Sequence, residues 1–195
     1  MDIFSISSIK SILYLFAPFL IICYFFLHSL INNNLKGLVL LLGLFISTIT
    51  TVLIGNGLVS KNQNMFGDSN ELCNLVTINS IANISSVPLS LTVYCFVAFY
   101  MLYSLIVNNY FQQNFYIFLF FGLLILGDIS WLKSNNCFKT LNIAVGFVIS
   151  SLLGLLWGVF INKSNNKDLQ YFTGEGKSCS IPARKTFKCK KRVLG

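Results

Sequence analysis

Few residues of this chain have types and spacings that could do chemistry. His28 is the only histidine, and it falls near the end of an apolar run with no acid or thiol beside it in sequence. It reads as a polar residue at a membrane interface rather than as a catalytic base. Asp128 is the only acid inside an apolar run. A carboxylate at the bilayer centre costs about 2.5–3.5 kcal/mol on insertion scales. Asp128 lies a turn from the end of its run, beside Trp131 and Lys133. It reads as an interfacial acid paired with Lys133 or Lys139, with a proton relay as the competing role. The chain contains no glycine loop for phosphate and no nucleophile elbow. No catalytic residue, metal ligand or cofactor is expected, and the chain reads as a non-enzyme.

Six cysteines complete the reactive inventory. Cys23 and Cys95 lie inside apolar runs and read as packing residues, as buried cysteines generally are. Cys73, Cys137, Cys179 and Cys189 lie outside them and are the candidates for disulfides. Zinc is poorly supported, because no C-x-x-C spacing occurs and the lone histidine sits within an apolar run. Four cysteines allow three connectivities, and free thiols at all four positions are the alternative to any of them.

The elements that hold these residues follow from composition. The chain has 195 residues, 55% hydrophobic and only 10% charged, with a net charge of +8. Soluble domains carry about 25% charged residues, so this chain lacks the material for a water-facing surface. A bilayer core needs about 20 apolar residues in helix. Five stretches qualify, at residues 12–31, 35–54, 87–107, 115–132 and 141–161. The runs do not alternate as the strands of a membrane barrel would, and a helix satisfies its own backbone in lipid. The expected fold is all-α, a polytopic bundle of five spans. The first span reads as a retained anchor, since its apolar run is too long for a signal peptide. Residues 55–86 read as a long loop and residues 162–195 as a basic tail outside the membrane.

Five spans place the two ends of the chain on opposite faces. Cys73 and Cys137 then share one face, and Cys179 and Cys189 the other, so only pairing within a face is possible. An ordinary cell oxidises one side of a membrane only. Either one pair stays reduced or oxidation comes from a separate system. After Ile161 the chain carries nine Lys and Arg against two acids. The positive-inside rule places this tail in the cytosol, although Lys10, Lys61, Lys133 and Lys139 lie on the other face. Trp131 and Trp157 read as aromatic anchors at the headgroups. In the last span Gly146, Ser150, Gly154 and Gly158 recur every four residues, forming one small-residue ridge. Such ridges let helices approach closely, either within the bundle or in self-association.

The segment from Cys179 to Cys189, C-S-x-P-x-x-x-T-F-K-C, resembles the ending of small multi-pass membrane proteins of nucleocytoplasmic large DNA viruses, the phycodnavirus and mimivirus kind. "LFAPFLIICYF", "LKGLVLLLG" and Cys73-Asn74 agree with it. That family in turn resembles a degenerate branch of the type 2 phosphatidic-acid-phosphatase superfamily. The active enzymes carry histidines where this chain reads "SSVPLSLTVY" and "DISWLKSNNCFKTLNIAVG", neither of which contains one. The resemblance therefore implies a scaffold without the enzyme. With the charge pattern, it leads to the expectation of a structural protein in the internal membrane of a virion, assembled on membrane derived from the host endoplasmic reticulum. Arg184, Lys185, Lys188, Lys190, Lys191 and Arg192 would dock capsid or minor capsid proteins. The same charges would also suit anionic lipid, or serve only to set topology; nucleic acid is not the expected partner. A lipid-handling scaffold or scramblase and an ion channel are the alternative functions.

Overall fold

The computed structural model describes residues 6–61, 85–164 and 169–171, with side chains described from residue 16 onward and to residue 58 in the second helix. The described chain forms five α-helices: α1 (Ile6–Ile31), α2 (Lys36–Lys61), α3 (Leu89–Val107), α4 (Phe115–Ser134) and α5 (Thr140–Lys163). Among the described residues there is no strand. Helices α2 to α5 are each long and apolar enough to cross a membrane. In α1 the described apolar segment is Phe16–Ile31, and the sequence continues it upstream through "ILYL" at 12–15. The whole of α1 has 26 residues, about 39 Å of helix. It runs through Pro18, whose ring removes one backbone donor; membrane helices tolerate this where neighbours re-satisfy the carbonyl.

Three of the four connections are tight, and they share a mechanism. Each helix ends on a pair of asparagines, Asn32-Asn33, Asn108-Asn109 and Asn135-Asn136. The first asparagine donates its side-chain amide to the carbonyl four residues back: His28 at 2.9 Å, Ser104 at 2.8 Å and Trp131 at 2.9 Å. The second takes the left-handed backbone, with φ of 47° at Asn33, 59° at Asn109 and 49° at Asn136. Asparagine enters that region more readily than most residues. The next residue then donates its N–H back into the helix: Asn34 to Ser29, Tyr110 to Leu105 and Cys137 to Leu132. This is the Schellman ending with asparagine in the usual glycine place. Ser29 Oγ adds a bond to the Asn34 carbonyl. Successive helices therefore reverse, and the start of α1 lies at the end of the bundle opposite the end of α5.

The fourth connection differs from expectation at its start. The sequence reads a loop from residue 55, yet α2 continues to Lys61. Gly55, Asn56 and Gly57 look like helix breakers, but two of them serve contacts. A Cβ on Gly55 would run into the Val87 side chain. Asn56 Oδ1 accepts from Ser86, from the backbone N–H at 3.1 Å and from the hydroxyl at 3.0 Å. Tertiary contact here overrides propensity.

Helix α3 is the centre of the bundle. Tyr94, Phe96, Val97, Tyr100 and Leu105 are all fully or almost fully buried. Its most extensive partner is α5, and α1, α2 and α4 also touch it. The α5 ridge is what makes that pairing close. A Cβ on Gly154 would meet the Phe96 carbonyl oxygen at 2.5 Å, and one on Gly158 would meet the Tyr103 ring at 2.6 Å. Gly146 faces Val87, and Ser150 is fully buried. The ridge thus packs within the protomer, so the self-association suggested by its spacing would have to use another surface. Trp157 likewise packs rather than anchors. Its indole lies over Gly43 of α2 and donates to the Val39 carbonyl at 3.2 Å; the bare glycine leaves that carbonyl reachable. Outside the core, Leu20, Phe45, Leu53, Leu123, Leu126 and Phe160 point outward. Such an apolar exterior is what a lipid-facing surface requires. The chain is a multi-pass membrane protein.

Candidate functional site

Helices α1 and α4 both lean on α3, and a cleft of about 700 Å³ opens between them. Its floor is apolar, built from Leu20 and Ile21 of α1, Met101 of α3, and Ile117, Phe120 and Phe121 of α4. Its mouth is polar. It lies where α1, α3 and α5 end and where α2 and α4 begin, and it gathers His28, Asn34, Lys36 and Tyr171. The Asn-Asn turn after α1 sets Asn34 and Lys36 beside the last turn of α1. Nδ1 of His28 and Oδ1 of Asn34 are buried without a hydrogen-bond partner among the described residues. Buried polar atoms are nearly always satisfied, so two orphans at one mouth call for an explanation.

Tyr171 reaches this mouth from beyond α5. Residues 169–171 fold back onto the bundle: Leu169 and Tyr171 pack against the core, and Gln170 is 1% exposed. The Gln170 amide donates to Ser104 Oγ at 3.3 Å. The Tyr171 ring stacks edge-on against Phe25 at 5.6 Å and lies 5.9 Å from His28, which itself lies 5.9 Å from Tyr24. Burial pushes the Tyr171 phenol above the ordinary tyrosine range, so it stays protonated and remains a donor.

A second polar cluster lies nearer the other end of the bundle. Asp128 is 1% exposed, its Oδ2 accepts from Ser90 at 2.9 Å, and its Oδ1 has no hydrogen-bond partner among the described residues. Asp128 thus turns into the bundle, and the expected pairing with Lys133 or Lys139 does not form; burial against α3 places its carboxylate on Ser90 instead. Close by in the same layer, Asn142 donates to the Ser86 carbonyl at 2.9 Å while its Oδ1 is unpartnered. Between α4 and α5 lies a smaller cleft of about 400 Å³, apolar along Ile125, Ile129, Ile143 and Phe147, with Lys133 at its edge.

The remaining sequence candidates fall as follows. Gly146, Ser150, Gly154 and Gly158 come together against α3 and Val87. Cys137 is fully buried at the α4–α5 turn and is engaged, whereas Cys23 and Cys95 are free thiols. Cys73, Cys179, Cys189 and the tail residues Arg184, Lys185, Lys188, Lys190, Lys191 and Arg192 lie outside the described residues. Among the described residues, no group of three or more His, Cys, Asp or Glu could hold a metal. Sequence reading missed Asn34, Lys36 and Tyr171. The one local signal was Tyr24 and His28, four apart and hence on one helix face. No protein-family model, curated protein or solved structure matches the chain.

Proposed function

We propose that this chain is a structural membrane protein of a large DNA virus particle, with the helical bundle as anchor and the basic tail as docking arm. The observation that carries the reading is the seat of Leu169–Tyr171 on the bundle. Gln170 is held at Ser104 and Tyr171 is wedged between Phe25 and His28. The tail therefore leaves the bundle from a fixed point. Seven of the fourteen Lys and Arg follow Tyr171, against one acid, so half of the cationic side chains lie beyond that seat. A tethered cationic segment suits an acidic protein surface, because charge complementarity speeds encounter and sets register. The resemblance of the tail motif supplies the proposed context: the internal virion membrane, with capsid or minor capsid proteins as partners. The protein acts without catalysis. In the same reading Cys137 pairs with Cys73 and Cys179 with Cys189, the within-face pairings that five spans allow.

The test is deletion of residues 176–195. Membrane insertion should persist while incorporation into particles falls. Unchanged incorporation sinks the docking role. As a second check, gentle delipidation of purified particles should leave the protein bound to the shell; release with the lipid would refute attachment.

A further inference from the structure

The cleft between α1 and α4 has a feature that packing does not explain. An apolar trench through the exterior of a membrane protein would simply fill with any lipid tail. This one is closed at one end by polar groups. From Leu20 to His28 the α1 wall runs about 12 Å. The floor along that length is Ile21, Met101, Phe120 and Phe121, and the mouth then changes within one helical turn to His28, Asn34, Lys36 and Tyr171. The two orphaned atoms, His28 Nδ1 and Asn34 Oδ1, lie at that change. Among the described residues the lining contains a lysine and a histidine and no carboxylate. The α1 wall also carries Tyr24, whose ring approaches His28. The mouth sits at the end of the bundle that also seats Leu169 and Tyr171, where α1, α3 and α5 end and a headgroup layer would lie.

We propose that this cleft binds one anionic phospholipid, with its phosphate at the His28, Asn34 and Lys36 mouth and one acyl chain along the trench between α1 and α4. The apolar walls accept the chain without choosing among lipids. Selection comes from the mouth. Lys36 supplies positive charge to the phosphate, as basic groups near an anionic leaflet do. His28 and Asn34 can hydrogen-bond to headgroup oxygens and hydroxyl or ammonium donors, which satisfies atoms that the protein leaves unpaired. The Tyr171 phenol, protonated, is a further donor at the same rim. Because Tyr171 belongs to the root of the tail, the bound headgroup would fasten that root to the membrane surface. The site lies at the opposite end of the bundle from the Ser90–Asp128 pair. It goes beyond the docking reading and stands whether or not the tail meets a capsid.

The experiment uses the full chain in vesicles of phosphatidylcholine containing about one-fifth phosphatidylserine as the anionic lipid. After extraction into a neutral detergent, native mass spectrometry should find one retained phosphatidylserine per chain, enriched over its share of the vesicle. Lys36→Glu should lower retention roughly thirtyfold, since it replaces about 1 kcal/mol of attraction with a repulsion of similar size. Leu20→Trp, which fills the trench, should lower retention of both lipids. Should either variant fail to fold, the wild-type chain decides. A phosphatidylserine with a photoreactive acyl chain should label the segments 20–24 and 117–121, and labelling elsewhere overturns the proposal. Equal retention of the two lipids would mean a trench without a headgroup site. Displacement by soluble glycerophosphoserine would mean a site for free phosphate esters. A dimer that retains no lipid would mean that a second copy fills the cleft. Each of these results defeats the assignment.

Discussion

Helices α5 and α4 flank α3 on different terms. Helix α5 presents glycines to α3, and the two backbones approach until Gly154 sits against the Phe96 carbonyl. Helix α4 presents large side chains and keeps its distance. Its buried residues are few, Phe121, Ile125, Asp128 and Leu132, and a cleft opens along each of its sides. Lipid tails are as apolar as leucine, so helices in a membrane gain little from burying large aliphatics against one another. Close backbone approach and polar contacts do the holding. The lesson is that the same apolar composition gives a locked pair where small residues align and a ligand-accessible helix where they do not.

Glycine substitutions break that comparison most directly. Gly154→Leu must push α5 away from the α3 backbone, which cannot yield as a side chain would. An overpacked core loses about 3 kcal/mol at the upper end of the usual range, and unfolding in mixed detergent micelles should show a loss of that order. A Cβ at Gly122 on α4 meets nothing within 4 Å, and Gly122→Leu in that open position should stay within about 0.5 kcal/mol. Equal losses at the two positions would refute the distinction between the helices.

If α4 lacks a small-residue interface, its polar tether to α3 should matter more. Among the described residues Ser90 is the only hydrogen-bond partner of the Asp128 carboxylate. Ser90→Ala should destabilise the bundle by about 1.5 kcal/mol, near the top of the range measured for hydrogen bonds between membrane helices. In an Asp128→Leu background the same change should cost almost nothing, because the carboxylate that needs the hydroxyl is gone. Additive losses in this double-mutant cycle would show that the pair is not a tether.

Much of this fold is legible in the sequence, because long apolar runs without alternation admit only helices in lipid. The helices lie within two residues of the expected spans except at the start of α1, which begins six residues earlier, and at the end of α2. There Gly55 and Asn56 looked like breakers, and what keeps them helical is contact with Val87 and Ser86, some thirty residues away. The α5 ridge was legible as a ridge; its partner was not, since spacing cannot say which surface a ridge faces. Asp128 and Trp157 were misplaced for a related reason. Each lies close enough to a helix end to suit a headgroup, and only the neighbouring helix turns it inward. The cleft was invisible, because His28, Lys36, Phe121 and Tyr171 come from four separate parts of the chain with no shared period. The candidate cysteines 73, 179 and 189 and the cationic tail lie outside the described residues.

The smallest expected effect sharpens the comparison at the ends of α4. A helix held weakly along its length depends on the turns that enter and leave it, and both carry a left-handed asparagine, Asn109 before and Asn136 after. At Asn136 the backbone has φ 49°, where a Cβ without a short polar side chain is costly. Asn136→Ala should destabilise by about 1 kcal/mol, the strain of a left-handed residue other than glycine. Asn136→Gly removes the strain and should leave stability within a few tenths of wild type, as glycine enters that region freely. Hydrogen exchange in micelles should then show the alanine variant loosening the C-terminal turn of α4, residues 131–134, while the α5 amides facing α3 stay protected. Loosening that spread instead to Gly154 would mean that α4 and α5 open as one unit, and the contrast between a locked and an accessible helix would fail.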